Sequence, residues 1–175
     1  MRINTIIPYI GVAIVSILTT NLYNTEKQPK KDVVYAVQTP TKLIEHPQNR
    51  EETHCLAHNI YFEGRGESVQ GQLGIGLVTL NRVRDRDYPN TVCKVVWQHR
   101  QFSWTLDGKS DTPKDTNAYT TAYLIATSIL DKDNAIRDFT HGSLMYHADY
   151  VEPYWKDHYK QTTKIGSHIF YARNN

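Results

Sequence analysis

The chain predicts an α+β domain, with helices first and a small antiparallel sheet after, and three observations carry that expectation. Leu56, Ile60 and Glu63 fall at i, i+4 and i+7 on one helical face, and Leu73, Leu77 and Leu80 form a second such stripe with Val78 beside it. The last third then changes to short strand-like pieces, Ser143 to Ala148 and His168 to Ala172. Length and composition suit one such domain with accessories: 175 residues, 39% apolar, 22% charged, net charge +2. So small a charge gives no electrostatic case for nucleic acid as a partner. Aromatic residues make up 11%, twelve of them Tyr, which fits either a sugar-stacking surface or a small filled core.

Residues 1–23 are expected to form an N-terminal signal anchor. The segment 6–23 carries no charge, and a bilayer span takes roughly 17–25 residues. No small-x-small cleavage site follows, which favours an uncleaved anchor over a removed signal peptide. Pro8, Gly11, Ser16, Thr19, Thr20 and Asn21 make its hold on a membrane weak, and Arg2 competes with Lys27, Lys30 and Lys31 in setting its orientation. Residues 24–51, with Pro29, Pro40, Pro47 and several Lys, read as a flexible tether. Within it, Val33 to Val37 is either part of the tether or an edge strand. Residues 52–175 form the globular domain.

A first helix is predicted from Thr53, a plausible N-cap, to Glu63. A second, Val69 to Arg84, is apolar enough to be the buried centre of the bundle, with Gly74 and Gly76 allowing another chain segment to approach closely. Tyr88-Pro89-Asn90-Thr91 turns into a short helix through Val92, Val95 and Val96, capped by Asn90 or Thr91. A loop from Gln98 to Lys114 follows, then a helix from Asp115 to about Leu130 on Ala118, Ala122, Ile125 and Ile129.

Cys55 and Cys93 are the only two cysteines. Behind an export-like N-terminus they are expected to form one disulfide; in a cytosolic protein they would be two buried thiols. A bond there closes a loop of about 39 residues and contributes a few kcal/mol in chain-entropy models. The eight histidines give no zinc set. His54 and His58 have i, i+4 spacing without the Glu of a zincin helix, and His141, His147, His158 and His168 are scattered, so neither metal nor cofactor is expected. His147, beside Tyr146 on a predicted strand, either lines a groove or is a half-buried packing residue. Ser68, Ser103 and Ser143 lack a nucleophile elbow, and Gly64-Arg65-Gly66 follows a helix instead of a strand, unlike a phosphate loop.

Glu63 is therefore the residue with the most chemistry to offer. On the core face of a helix, near its C-terminal end, desolvation and the helix dipole both disfavour the ionised carboxylate. It is either an acid held protonated for glycosidic cleavage or an ordinary helix-end acid paired with Arg65 or a Lys.

The ordered motifs tip that balance. Cys55-Leu-Ala-His-Asn-Ile-Tyr-Phe-Glu-Gly-Arg-Gly-Glu67, Gly71-Gln72, Val78-Thr-Leu-Asn-Arg-Val83, Pro89-Asn-Thr-Val-Cys93, Gln101-Phe-Ser103 and Ile165-Gly-Ser-His-Ile-Phe-Tyr171 together resemble, in order, the SleB-like cell wall hydrolases. The resemblance covers about residues 53 to 172. It implies a lysozyme-like fold, a helical bundle around a central buried helix with a small antiparallel sheet. It also implies lytic transglycosylase cleavage of peptidoglycan between N-acetylmuramic acid and N-acetylglucosamine.

By the same resemblance Glu63 is the catalytic residue, and Gln101, Phe102, Ser103, Tyr146 and His147 belong to the substrate groove. Glu67 is assigned to substrate binding, orienting Arg65 or capping the second helix, while Asn81, Arg82, Trp155, His168 and Tyr171 suit structural roles. The expected partners are peptidoglycan strands and, through the anchor, the inner membrane, with a periplasmic domain acting as a monomer in phage lysis or bacterial wall remodelling. The rivals are a hydrolytic muramidase using Glu67 or Asp107 as second carboxylate, and a non-catalytic peptidoglycan-binding module. This chain has Gly64 where the family usually has Ala. It shows no separate peptidoglycan-binding domain like that of the spore enzymes, so spore-cortex specificity is not carried over.

Overall fold

Four α-helices and a three-stranded antiparallel sheet follow one another in the computed structural model, which describes residues 47–133 and 136–174. The expected anchor, the strand at 33–37 and the tether up to residue 46 lie outside the described residues. Among the described residues no helix is long and apolar enough to cross a membrane.

Helix α1 runs Pro47–Gly64, starting upstream of the predicted Thr53. Proline is favoured at a first helical position, where its missing N–H costs nothing. Thr53 is thereby placed inside the helix, where it is buried instead of capping. Helix α2 is Val69–Arg84 as expected, and Ser68 caps it by accepting from the Gly71 N–H at 3.2 Å. Helix α3, Val92–Val96, takes Thr91 as its cap, and α4, Thr116–Leu130, takes Asp115. Between them Ser103–Leu106 forms a short 3₁₀ turn.

Leu56, Ala57 and Ile60 of α1, Leu73 of α2 and Ala122, Ile125 and Ala126 of α4 are the centre of the main core. Gly76 lets α2 sit against α1 and α4, since a Cβ there would meet the terminal methyls of Ile129 and Ile60. The Cys55–Cys93 bond is formed, joining α1 to α3 with Cα atoms 5.2 Å apart. Glu52 adds a second tie, its carboxylate accepting from the Val92 N–H at the start of α3.

Strands β1 (Met145–Ala148), β2 (Tyr159–Ile165) and β3 (His168–Arg173) pair in the order β1-β3-β2. β3 is central and its Phe170 is fully buried, packing with Val78 and Ile165 in a second, smaller core. A Cβ on Gly74 would lie 2.8 Å from the Phe170 ring, so this glycine is what lets α2 approach the sheet.

Candidate active site

Glu63 sits in the last turn of α1, where the helix meets the sheet. The helix continues through Gly64, which packs against Ile75 and Gln72, and the chain reverses at Gly66, whose φ of 101° favours glycine. The carboxyl of Glu63 is then turned toward β1, where the Tyr146 hydroxyl donates to its Oε2 at 3.1 Å. Burial raises the Glu63 pKa above the ordinary carboxylate value, and the Tyr146 bond and the Arg82 charge oppose that rise only in part. Burial and the neighbouring Glu63 push the Tyr146 phenol well above its usual value, so it stays a donor.

Arg82 is a buried cation at the end of α2, only 4% exposed. Its Nε donates to the Leu144 carbonyl at 2.8 Å, and its guanidinium lies 5.2 Å from the Phe102 ring centre and 5.4 Å from that of Tyr88. Arg82 lies at i+4 from Val78 and i+7 from Ile75, so the apolar stripe of α2 already directs it inward.

These groups open on a cleft of about 630 Å³. Glu63 and Arg82 line one part of it, the segment 100–103 with Leu106 another, and Met145, Tyr146, Tyr154 and Trp155 the sheet side. Gln101, Phe102, Ser103 and Tyr146 are thus brought together with Glu63. Glu63 is the only carboxylate among the described lining residues.

His147 and Glu67 are not brought to this cleft. Successive strand residues face opposite ways, so His147 points to the other side of β1 from Tyr146. Its Nε2 pairs with the Tyr171 hydroxyl at 2.9 Å and its ring meets the edge of Trp155, supporting the cleft wall from behind. Glu67 accepts a hydrogen bond from the Ser167 hydroxyl and lies 3.6 Å from His168 Nδ1, tying the start of α2 to the β2–β3 turn. Ser68 does the capping instead, and Arg65 donates to the Tyr61 hydroxyl at 2.9 Å.

Trp155 and Arg82, given structural roles by the sequence reading, both line the cleft, as do Arg100, Leu106, Met145 and Tyr154. The adjacent aromatics Tyr154 and Trp155, within a polar stretch, were the available signal for the sheet side. No group of three or more His, Cys, Asp or Glu able to hold a metal occurs among the described residues.

A helical bundle set against a three-stranded sheet, with one largely buried carboxyl at their junction, is the α+β plan of the lysozyme-like class. The solved catalytic domain of the Bacillus cereus SleB protein superposes with a TM-score of 0.56 at 28% identity, covering 77% of this chain and 98% of that one. The catalytic domain of the germination-specific lytic transglycosylase SleB from Bacillus anthracis gives 0.57 at 32%, covering 74% and 98%. The chain belongs to the Cell Wall Hydrolase family, whose model matches residues 66–171. The match begins just after Glu63.

Among curated relatives, a spore cortex-lytic enzyme of Bacillus cereus is 30% identical over 123 residues, 70% of this chain and 44% of that protein. The spore cortex-lytic enzyme of Bacillus subtilis is 26% identical over 147 residues, 84% of this chain and 44% of its own length. The chain therefore spans less than half of these relatives and nearly all of the solved catalytic domains.

Proposed function

We propose that this protein is a peptidoglycan lytic transglycosylase in which Glu63 is both acid and base. The observation that carries the reading is a lone carboxyl, raised in pKa by burial, lining an open cleft with one oxygen already engaged by Tyr146. With Oε2 accepting from the phenol, the proton of the neutral acid is left to Oε1. Glu63 gives that proton to the bridging oxygen as the bond from muramic acid C1 breaks. The resulting carboxylate then takes the proton of the C6 hydroxyl, whose oxygen closes on C1 to leave a 1,6-anhydro end. No water is consumed and one carboxylate serves both steps. Neither Glu67 nor Asp107 lines the cleft, which favours this route over hydrolysis with a second carboxylate.

The membrane-anchored, periplasmic setting, monomeric action and a role in phage lysis or bacterial wall remodelling belong to the same proposal and rest on the N-terminal sequence and the resemblance. Mass spectrometry of digested peptidoglycan tests the chemistry. Glycan products lighter by one water than the hydrolytic ones support it, and free reducing ends overturn it.

A further inference from the structure

A second cavity, of about 610 Å³, opens beside the first and has a different character. Asn81 and Leu144 line it, while their chain neighbours Arg82 and Met145 line the Glu63 cleft. The two cavities therefore share a stretch of α2 and the segment leading into β1 as parts of their walls. The Arg82 to Leu144 hydrogen bond runs between those two segments.

The residues lining this second cavity include three cations, Arg84, Lys160 and Arg173, and one carboxylate, Asp85. Asp85 is engaged by Arg173 at 2.8 Å, and Arg173 also reaches Asp87 at 2.6 Å. Arg84 and Lys160 have no hydrogen-bond or ion-pair partner from a side chain among the described residues, and both are exposed. A held loop forms another wall. His141 and Gly142 are both left-handed, with φ of 56° and 75°, a conformation that strains a non-glycine residue. Asp138 fixes this loop by accepting from the Thr140 N–H and hydroxyl, the Gly142 N–H and the Asn81 amide. Asn81 therefore anchors the wall of one cavity from the helix that supplies Arg82 to the other.

From this placement we infer that the second cavity binds a free carboxylate of the peptide stem on the strand whose sugars occupy the Glu63 cleft. The inference rests on the proposed peptidoglycan substrate. In such a polymer the sugars are uncharged where the lactyl group is amide-linked, and the carboxylates are on the peptides. Arg84 and Lys160 supply the countercharges, and Gln161 and Thr162 supply side-chain hydrogen-bonding groups.

The test is titration calorimetry of the full chain with a synthetic stem tetrapeptide and with its carboxyl-amidated form. The free acid is expected to bind, and both amidation and the double substitution Arg84→Ala with Lys160→Ala to weaken binding about fivefold, the range of exposed charge pairs. No binding by wild type, equal affinity for acid and amide, or an unaffected double variant overturns the inference. In the companion assay, the wild-type preference for peptide-bearing over amidase-stripped strands is expected to fall about fivefold in that variant. An equal loss on both substrates overturns it. If the wild type cleaves neither strand, the lytic reading fails, and the titration still decides the second cavity.

Discussion

The helical and sheet halves of this domain are built by different means. The helical half is held by a continuous apolar core and one disulfide. The sheet half has three buried apolar residues in its own core, Val78, Ile165 and Phe170, and one of those comes from α2. Polar contacts organise its periphery instead, such as Lys164 of β2 with Asp149 and Arg173, at the end of β3, with Asp85. The acid comes from the well-packed half, and the hydroxyl that orients it comes from the sparer one. Tyr146 packs against both cores, so the proposed reaction centre lies where the two meet.

If the chemistry rests with the helical half, Glu63→Gln is expected to lower activity about 10³-fold, within the usual span for general acid–base groups. Turbidity clearing of cell walls measures it, and retained clearing would break the assignment. The same variant has a stability signature. Glu63 is raised in the folded state, so that state binds more protons than the unfolded chain between the ordinary carboxylate pKa and the raised one. Its contribution is greatest at low pH and is lost as pH rises through the folded pKa. Glu63→Gln should therefore gain thermal stability relative to wild type at pH 7 and lose that advantage near pH 4, as read by calorimetry.

Opening the disulfide tests the helical half as the main store of stability. For a sequence separation of 38, Cys93→Ser is expected to cost about 4 kcal/mol in the chain-entropy model, measured by urea denaturation. A negligible loss would show that the core alone suffices. Gly74→Ala probes the joint between halves. The added methyl meets the Phe170 ring, and about 2 kcal/mol of destabilisation is expected from overpacking, again in urea.

The smallest expected effect comes from the sheet side. Tyr146→Phe removes a hydrogen bond that favours ionised Glu63, so the Glu63 pKa rises further. The first chemical step needs the protonated acid, so kcat/KM falls as pH rises through that pKa. The variant's descending limb is expected at higher pH, with kcat lowered several-fold. An unmoved limb would sever the proposed link between the halves.

The same contrast explains what the sequence disclosed. Period-3.6 stripes gave away α2 and α4, while Thr91 and Asp115, with their short polar side chains, marked the starts of α3 and α4. The beginning of α1 was hidden because Gln48 to Glu52 is wholly polar and offers no apolar period. β2 was hidden for a related reason: Tyr159 to Ile165 is an edge strand, broken in register between Gln161 and Thr163 and mostly solvated. Glu63 was legible because its helical face could be counted from Leu56. The facing of Tyr146 against His147 was not, because Met145-Tyr146-His147-Ala148 lacks a clear alternation of apolar and polar residues. Arg82 was countable on the α2 stripe, yet its cation could not be assigned to a cleft before the sheet was in place.

One buried polar node bears on where the domain tolerates inserted residues. The Trp104 indole donates to the Asn59 amide at 3.2 Å, and Asn59 donates to the Thr79 hydroxyl at 3.1 Å. Farther along, the Tyr61 hydroxyl accepts from the Lys114 and Asp115 N–H groups at 3.2 and 3.1 Å. The chain is thus riveted to α1 on both sides of the largely exposed stretch 107–113. Residues can be gained or lost between those rivets without disturbing the register of Gln101 to Ser103. Stretch 107–113 is therefore where a reporter peptide is expected to be accepted while the cleft stays intact.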